Sequence, residues 1–356
     1  MYPTASTGRE GLRRSPLNEG KTNMLRHFKP LAATLTTCAL ALGLVACGGS
    51  ATSTESASTD GAAADSFKIG VVQLVEHEAL DAANKGFVDA LDESGISYEI
   101  DQQNAQGDQS TCQTIAAKLV GDEDDLILAI ATPACQAVAG ATTEIPIVGT
   151  AITDFADSGL VDSNEKPGTN VTGSSDLTPV AAQISMLHKV LPDAKTVGVL
   201  FCTAESNSEL QATMAEEACA ENGLEAVRYT VSSSNEIQSV TESMAGKVDV
   251  IYIPTDNTIA AGASTVCMVA TDNNIPVVCG EEGEYNCGGL FTLTIDYYEL
   301  GKLAGDMAVS ILKDGKNPAE MPIEYYPTDK LTLLYNEELG ETYGIDPAAW
   351  ETLLEQ

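Results

Sequence analysis

Glu76, His77 and Glu78, with Asp81 close behind, put carboxylates and an imidazole into one short stretch. Such side chains can ligate a divalent metal when enough of them converge. No second cluster in the chain supplies the missing ligands, so neither a metal nor another cofactor is expected. Glu76 and His77 read instead as ligand-facing or loop-ordering residues. A different chemistry follows from Thr132-Pro133 and Thr153-Asp154. A hydroxyl followed by proline marks a helix start, and helix starts offer free N–H groups and a positive dipole end that suit a carboxylate. Asp176, Asp256 and Glu281 are suited to hold an ammonium group. Together these groups fit a zwitterion such as an amino acid. Gln73, Thr255, Asn257, Asp296 and Tyr297 lie on the same or adjoining loops and complete the candidate ligand-binding set. Each threonine also reads as a plain helix cap, and each acid as a solvated charge.

Enzymatic signatures are missing. The sequence has no G-x-S-x-G elbow, and Gly288-Gly289 precedes a strand rather than a phosphate-cradling helix. His188, between Leu187 and Val190 on an amphipathic pattern, reads as structural. No catalytic residue is assigned and no enzyme is expected.

The elements that must position these residues follow a repeating pattern. Ile69-Gly70-Val71-Val72 is the apolar run of a strand buried on both faces. A polar loop, Gln73 to Asp81, leads into a helix whose Leu80, Ala83, Phe87, Ala90 and Leu91 share one face. Strand, loop and covering helix are the unit of a parallel α/β sheet, whose ligands bind beyond the carboxyl ends of the strands. Such units recur in two sets about 128 residues apart. Gly70 matches Gly198, Gly95 matches Gly223, Asp125 matches Asp249, and Ile145-Pro146-Ile147 matches Ile275-Pro276-Val277. The fold expected is therefore α/β, with two similar doubly wound parallel-sheet lobes. Lobe 1 is assigned 67–177 plus 296–317 and lobe 2 is assigned 178–295 plus 318–356. Three chain crossings, near Leu177-Pro179, Ile295-Asp296 and Asn317-Pro318, would form a hinge around a cleft.

The N-terminus reads as a processing signal over residues 1–46. From about Met24, Arg26 and Lys29 precede the apolar core Leu31 to Leu44, and Leu44-Val45-Ala46-Cys47 closes it like a lipobox. Cys47 is the expected lipidation site, and residues 47–66, rich in Ser, Thr, Ala and Gly, a flexible tether. Membrane contact is expected through the lipid alone. A formal charge of -34 over 356 residues repels phosphates, so nucleic acid is not an expected partner. A salt-adapted source is a second explanation for that charge. Of nine cysteines, Cys38 leaves with the signal and Cys47 carries lipid. Cys279 with Cys287, flanking one loop, is the first expected disulfide, and Cys112 with Cys135, near two helix starts, the second.

IGVVQLVEHEALDAANKGF (Ile69 to Phe87), AIATPA (Ala129 to Ala134), TAITD (Thr150 to Asp154), YIPTDNT (Tyr252 to Thr258) and IDYYELG (Ile295 to Gly301) resemble ABC-transporter substrate-binding lipoproteins. The resemblance is to members that bind tryptophan, tyrosine or aromatic amino acids generally, and it runs from about Lys68 to Tyr335. It implies a periplasmic-binding-protein fold of type I, a permease and an ATPase as partners, an extracytoplasmic location and no catalysis. Cys112, Cys135, Cys202, Cys267 and Cys287 depart from the family pattern, and Gly283 to Cys287 lacks the basic residues expected there. Aromatic residues are sparse at 5%, with Phe155, Phe201, Tyr285 and Tyr297 on cleft or hinge loops and Trp350 in the tail. The expected function is capture of a small amino acid-like ligand, aromatic by resemblance, for an ABC importer. A nucleoside or sugar ligand, a sensory or adhesive lipoprotein, and a metalloenzyme built on Glu76, His77 and Asp81 are the rivals.

Overall fold

The apolar run at Ile69 lies inside the first strand, β1 (Phe67–Gln73), whose last five residues are all buried. The structure, a computed structural model, describes residues 66–348 and Trp350. The expected signal, Cys47 and nearly all of the tether lie outside the described residues. Helix α1 (Glu78–Ser94) buries the five residues that the spacing placed on one face, and ends at Gly95. Strand β2 (Tyr98–Asn104) is half-exposed, as a sheet edge should be. Helix α2 (Gln109–Gly121) starts at Asp108, whose carboxylate accepts the Thr111 N–H. Strand β3 (Leu126–Ile130) is wholly buried and runs into α3 (Thr132–Ala141). Strands β4 (Ile147–Ile152) and β5 (Val171–Ser175) continue the sheet, every residue covered on both faces.

The second set begins with α4 (Val180–Val190) and β6 (Thr196–Cys202). It continues through α5 (Ser206–Glu221), β7 (Glu225–Val231), α6 (Ile237–Met244) and β8 (Val250–Ile253). Gly262 separates α7 (Asn257–Ala260) from α8 (Ala263–Asp272). Strand β9 (Val277–Cys279), the short helix α9 (Glu282–Asn286) and β10 (Phe291–Thr294) complete the set. Then α10 (Tyr297–Asp314) returns to pack along α1. Strands β11 (Glu324–Tyr325) and β12 (Thr332–Tyr335) and helix α11 (Glu337–Thr342) follow.

These strands form two six-stranded sheets of matching order, β11-β5-β4-β3-β1-β2 and β12-β10-β9-β8-β6-β7. All pairs are parallel except β10 with β12. Duplication extends to single hydrogen bonds. Asp125 accepts the Lys68 N–H where β1 begins, and Asp249 accepts the Lys195 and Thr196 N–H groups where β6 begins. Gly95 and Gly223, at φ 70° and 74°, close the equivalent helices in the left-handed region where glycine escapes the Cβ penalty.

The third chain crossing is corrected. Residues from 318 onward do not all join the second sheet, because β11 pairs with β5 of the first. The Thr172 hydroxyl donates to the Met321 carbonyl, the Gly168 N–H to the Ala319 carbonyl and the Ile323 N–H to that of Asn164. These bonds satisfy the open side of the first lobe, so the chain crosses between β11 and β12. Beyond it, Trp350 stacks on Tyr335 at 5.0 Å and meets Phe291 edge-on at 6.0 Å, fixing the tail to the second lobe.

Neither expected disulfide forms; Cys112, Cys135, Cys279 and Cys287 are all free. Cys279 is fully buried in the second core, while the Cys287 thiol meets the Ser264 hydroxyl at 3.4 Å. Cys112 and Cys135 are sealed in the first core, and burial pushes the Cys112 thiol up to about 11. Nearness in the chain did not predict which way each sulfur points. Among the described residues no helix is long and apolar enough to cross a membrane.

Candidate functional site

Because both sheets are parallel, the loops at the carboxyl ends of β1, β3, β4, β6, β8 and β9 fall on one side of each lobe. Those sides meet. His77 Nε2 lies 3.2 Å from Asn257 Oδ1, and the Gln211 amide donates to the Thr153 hydroxyl at 3.4 Å. Gln109 donates to the Ala204 carbonyl, Gln136 to the Ser206 hydroxyl at 3.3 Å, and Asn286 to the Glu78 carboxylate at 2.9 Å. The described conformation is therefore a closed one. Asn257 gives its amide N–H to Glu205 at 2.5 Å, so its Oδ1 accepts, and His77 must carry the proton on Nε2. His77 Nδ1 is buried and without a partner in the described structure.

Thr132 is the first residue of α3 and almost completely buried, yet its hydroxyl has no partner. Pro133 lacks an N–H, and the Cys135 N–H is taken by the Ala131 carbonyl. The amides of Thr132 and Ala134 have no preceding helical carbonyl to bond. Ala131, at φ 83° and ψ 151°, holds a conformation that non-glycine residues rarely adopt and that costs about 1–3 kcal/mol. Strain at the junction of a buried strand and a helix start is a mark of a functional turn.

Five carboxyl groups on the strand-end loops and the segments that follow them are also buried, those of Asp176, Glu205, Asp256, Glu281 and Glu284. Asp176 accepts from the Tyr297 hydroxyl at 3.1 Å and from Thr153 at 3.3 Å, and burial pushes its carboxyl up to about 6. Asp256 caps α7 and also accepts the Cys202 N–H; burial and the neighbouring Glu205 raise it. Burial raises Glu281 too, against the opposing pull of His77 and of the two N–H groups it caps on α9. Glu284 is raised by burial and by Glu281 and Asp256, and one of its oxygens has no partner. The ion pairs of Lys85, Lys118, Arg228 and Lys302 lie on outer surfaces and neutralise none of these groups. Among the described residues no group of three or more His, Cys, Asp and Glu side chains is placed to hold a metal ion.

The structure thus brings together Thr132, Pro133, Thr153, Asp176, Thr255, Asp256, Asn257, Glu281, Tyr297 and His77. It sets others apart. Gln73 is buried, but its amide serves Asp81, Asn84 and the Val75 carbonyl, ordering the β1–α1 loop. Glu76 lines a shallow surface depression with Asp81 and Lys85. Asp154 binds the Asp157 N–H and Asn164, and the exposed Asp296 caps α10. These four carried the right chemistry but face loop backbone or solvent. Gln211 went unnoticed in the sequence. The signal that could have found it is Asn207, Ser208 and Gln211, polar residues sharing the buried face of α5.

Comparison with known proteins agrees with this geometry. The family described as ABC transporter substrate binding protein matches residues 68–346. A "Tyrosine-binding protein" of Clostridioides difficile (strain R20291) is 42% identical over 274 residues, 76% of this chain and 79% of that one. A Streptococcus pneumonia ABC domain in complex with L-Trp is 36% identical with TM-score 0.77, over 81% of this chain and 98% of its own. The ligand-free, open structure of a Clostridium difficile substrate binding protein with adhesive properties is 42% identical but reaches only TM-score 0.60, over 79% and 95%. Higher identity with lower superposition is what a difference in lobe closure produces.

Proposed function

The chain belongs to the ABC transporter substrate-binding protein family, and from that premise we propose that it captures an aromatic amino acid between its lobes for import. The supporting observation is the buried, unpartnered Thr132 hydroxyl at the α3 N-terminus, together with buried carboxyl groups that no lysine or arginine pairs. The ligand carboxylate takes the α3 amides and the Thr132 hydroxyl; its ammonium takes Asp176, with Glu281 as a further carboxylate of the cleft. A zwitterion satisfies both halves at once, whereas a sugar or nucleoside leaves the acids without a charge partner. Contacts to both lobes supply the differential affinity that favours closure. The names of the relatives support an aromatic side chain.

On the same reading Cys47 is acylated after removal of residues 1–46, residues 47–66 tether the lobes to the membrane, and a permease with its ATPase receives the ligand. The protein performs no catalysis. A thermal-shift screen of the purified protein against amino acids, nucleosides and sugars tests the ligand class. Ligand at 100 times its dissociation constant should add about 2.7 kcal/mol to stability. Tyrosine and phenylalanine are expected to raise Tm. Nucleosides or sugars acting alone would reverse the assignment.

A further inference from the structure

Three of the free thiols, those of Cys267, Cys279 and Cys287, gather on one face of the second sheet, where Val266 and Ala270 of α8 also pack. Cys287 follows the short helix α9, and its thiol meets the Ser264 hydroxyl at 3.4 Å. Ser264 stands one turn before Cys267 on α8, so both side chains leave the same face of that helix. The chain beyond Cys287 stays against this turn. A Cβ at Gly288 would sit 3.2 Å from the Cys267 Cβ and 3.8 Å from its Sγ. Disulfide-bonded cysteines hold their Cβ atoms about 3.8 Å apart, and the residue adjoining Cys287 already comes within that range of Cys267. We propose that Cys267 and Cys287 form a dithiol–disulfide pair, closed by exchange with a small-molecule disulfide, that fastens the end of α9 to α8.

Accessibility sets the order of events. Cys287 is half-buried, whereas Cys267 and Cys279 are sealed from solvent. The Cys287 thiolate attacks one sulfur of the small disulfide, a first small thiolate leaves, and a mixed disulfide remains on Cys287. Cys267 then gives up its proton and attacks the Cys287 sulfur, and the second small thiolate leaves. Two protein thiols are oxidised to one disulfide while the reagent is reduced to two thiols. Cys279 is the weaker partner. Its sulfur lies against the backbone of Gly289, where a Cβ would meet it at 2.5 Å. Cys287 is also the first of the charged neighbours that raise the Cys267 thiol and the last of those that raise Cys279. Substrate-binding proteins of ABC transporters are extracytoplasmic, and outside the cytoplasm such pairs meet oxidants. The bridge bears on the cleft, because Glu281 caps α9 and Asn286 donates to Glu78 of the first lobe at 2.9 Å.

Oxidised glutathione, added to the reduced full-length protein at pH 8, tests the pair. Remaining thiols are alkylated under denaturing conditions, and the unreduced digest is mapped by mass spectrometry. The expected product is a Cys267–Cys287 cross-link, with Cys112, Cys135, Cys202, Cys219 and Cys279 alkylated. The oxidised protein should melt about 4 °C or more above the reduced one, and dithiothreitol should erase the difference. Cys287→Ser replaces a half-buried side chain and keeps a hydroxyl for Ser264, so it should fold and neither cross-link nor gain stability on oxidation. In Cys267→Ala the resolving thiol is gone, and glutathione should stay on Cys287 as a mixed disulfide. A cross-link from Cys287 to Cys279 in the unaltered protein would overturn the pairing. Glutathione retained on Cys287 there, or no reaction at that residue, would overturn it too.

Discussion

Asp176→Asn is expected to weaken amino-acid binding by two to three orders of magnitude while leaving the empty protein as stable as before or more so. Asp176 is buried at the hinge side of the cleft, where the Tyr297 and Thr153 hydroxyls donate to its carboxylate. An amide of the same shape keeps an acceptor for Tyr297 and can donate to Thr153. What it removes is the charge, and breaking a buried ion pair costs about 3–5 kcal/mol, with each 1.4 kcal/mol a factor of ten.

The pH dependence gives the prediction a second handle. Burial holds the Asp176 carboxyl near 6, above the ordinary 3.8, so between these values the folded empty protein binds a proton that the unfolded chain has released. Its contribution is most favourable below the unfolded value and is lost as pH rises through about 6, on the order of 3 kcal/mol for a shift of two units. Asp256, Glu281 and Glu284 are shifted in the same direction and add the same sign. Ligand works oppositely, because only the ionised carboxylate pairs with an ammonium. Melting curves at pH 5 and pH 8 should therefore show the ligand-induced Tm shift growing with pH in the native protein. In the Asp176→Asn variant that growth should be reduced. A variant that binds normally, or that loses stability at pH 8, would contradict this role.

Gly301→Ala should have the largest effect on stability. Gly301 lies in α10 where that helix crosses α1, and a Cβ there would sit 1.9 Å from the Ala83 carbonyl oxygen. Gly86, on the facing helix, has the same relation to the Tyr298 carbonyl at 2.0 Å. The obstruction is backbone on both sides, so no rotamer relieves it and the helices must separate. Overpacking typically costs about 1–3 kcal/mol, and a rigid backbone clash belongs at the top of that range or beyond. Binding should suffer with stability, since Tyr297 opens the same helix and its hydroxyl orients Asp176. Gly140→Ala is the control. Gly140 lies exposed in α3, and a methyl group there would meet nothing within 4 Å, so the same change should stabilise by about 0.5–1 kcal/mol. Chemical denaturation of the two variants should give ΔΔG of opposite sign.

The doubled architecture was legible because buried strands and amphipathic helices leave periodic traces that survive in each half. Asp125 and Asp249 could be matched by position alone and do the same job. Thr132, Asp256 and Glu281 reach the cleft because a parallel sheet sends every loop at its strand ends to the same side. The failures have a common origin. Glu76, Asp154 and Asp296 share the composition of the cleft residues but differ in direction, which composition does not encode. Gln211 is a polar helical residue whose partner Thr255 lies 44 positions away in the chain, so nothing local distinguishes it from a solvated face. Strand β11 is two residues long and carries no sign of which sheet it joins. Cysteine pairing failed because chain proximity says nothing about the direction of Sγ.

A crystal structure of the protein with bound tyrosine tests the central claim most directly. The account predicts closed lobes, the ligand carboxylate hydrogen-bonded to Thr132 Oγ1 and the α3 amides, and the ammonium within hydrogen-bonding reach of Asp176. Tyrosine bound outside the interlobe cleft, or with its amino group at the α3 N-terminus and its carboxylate among the acids, would contradict it.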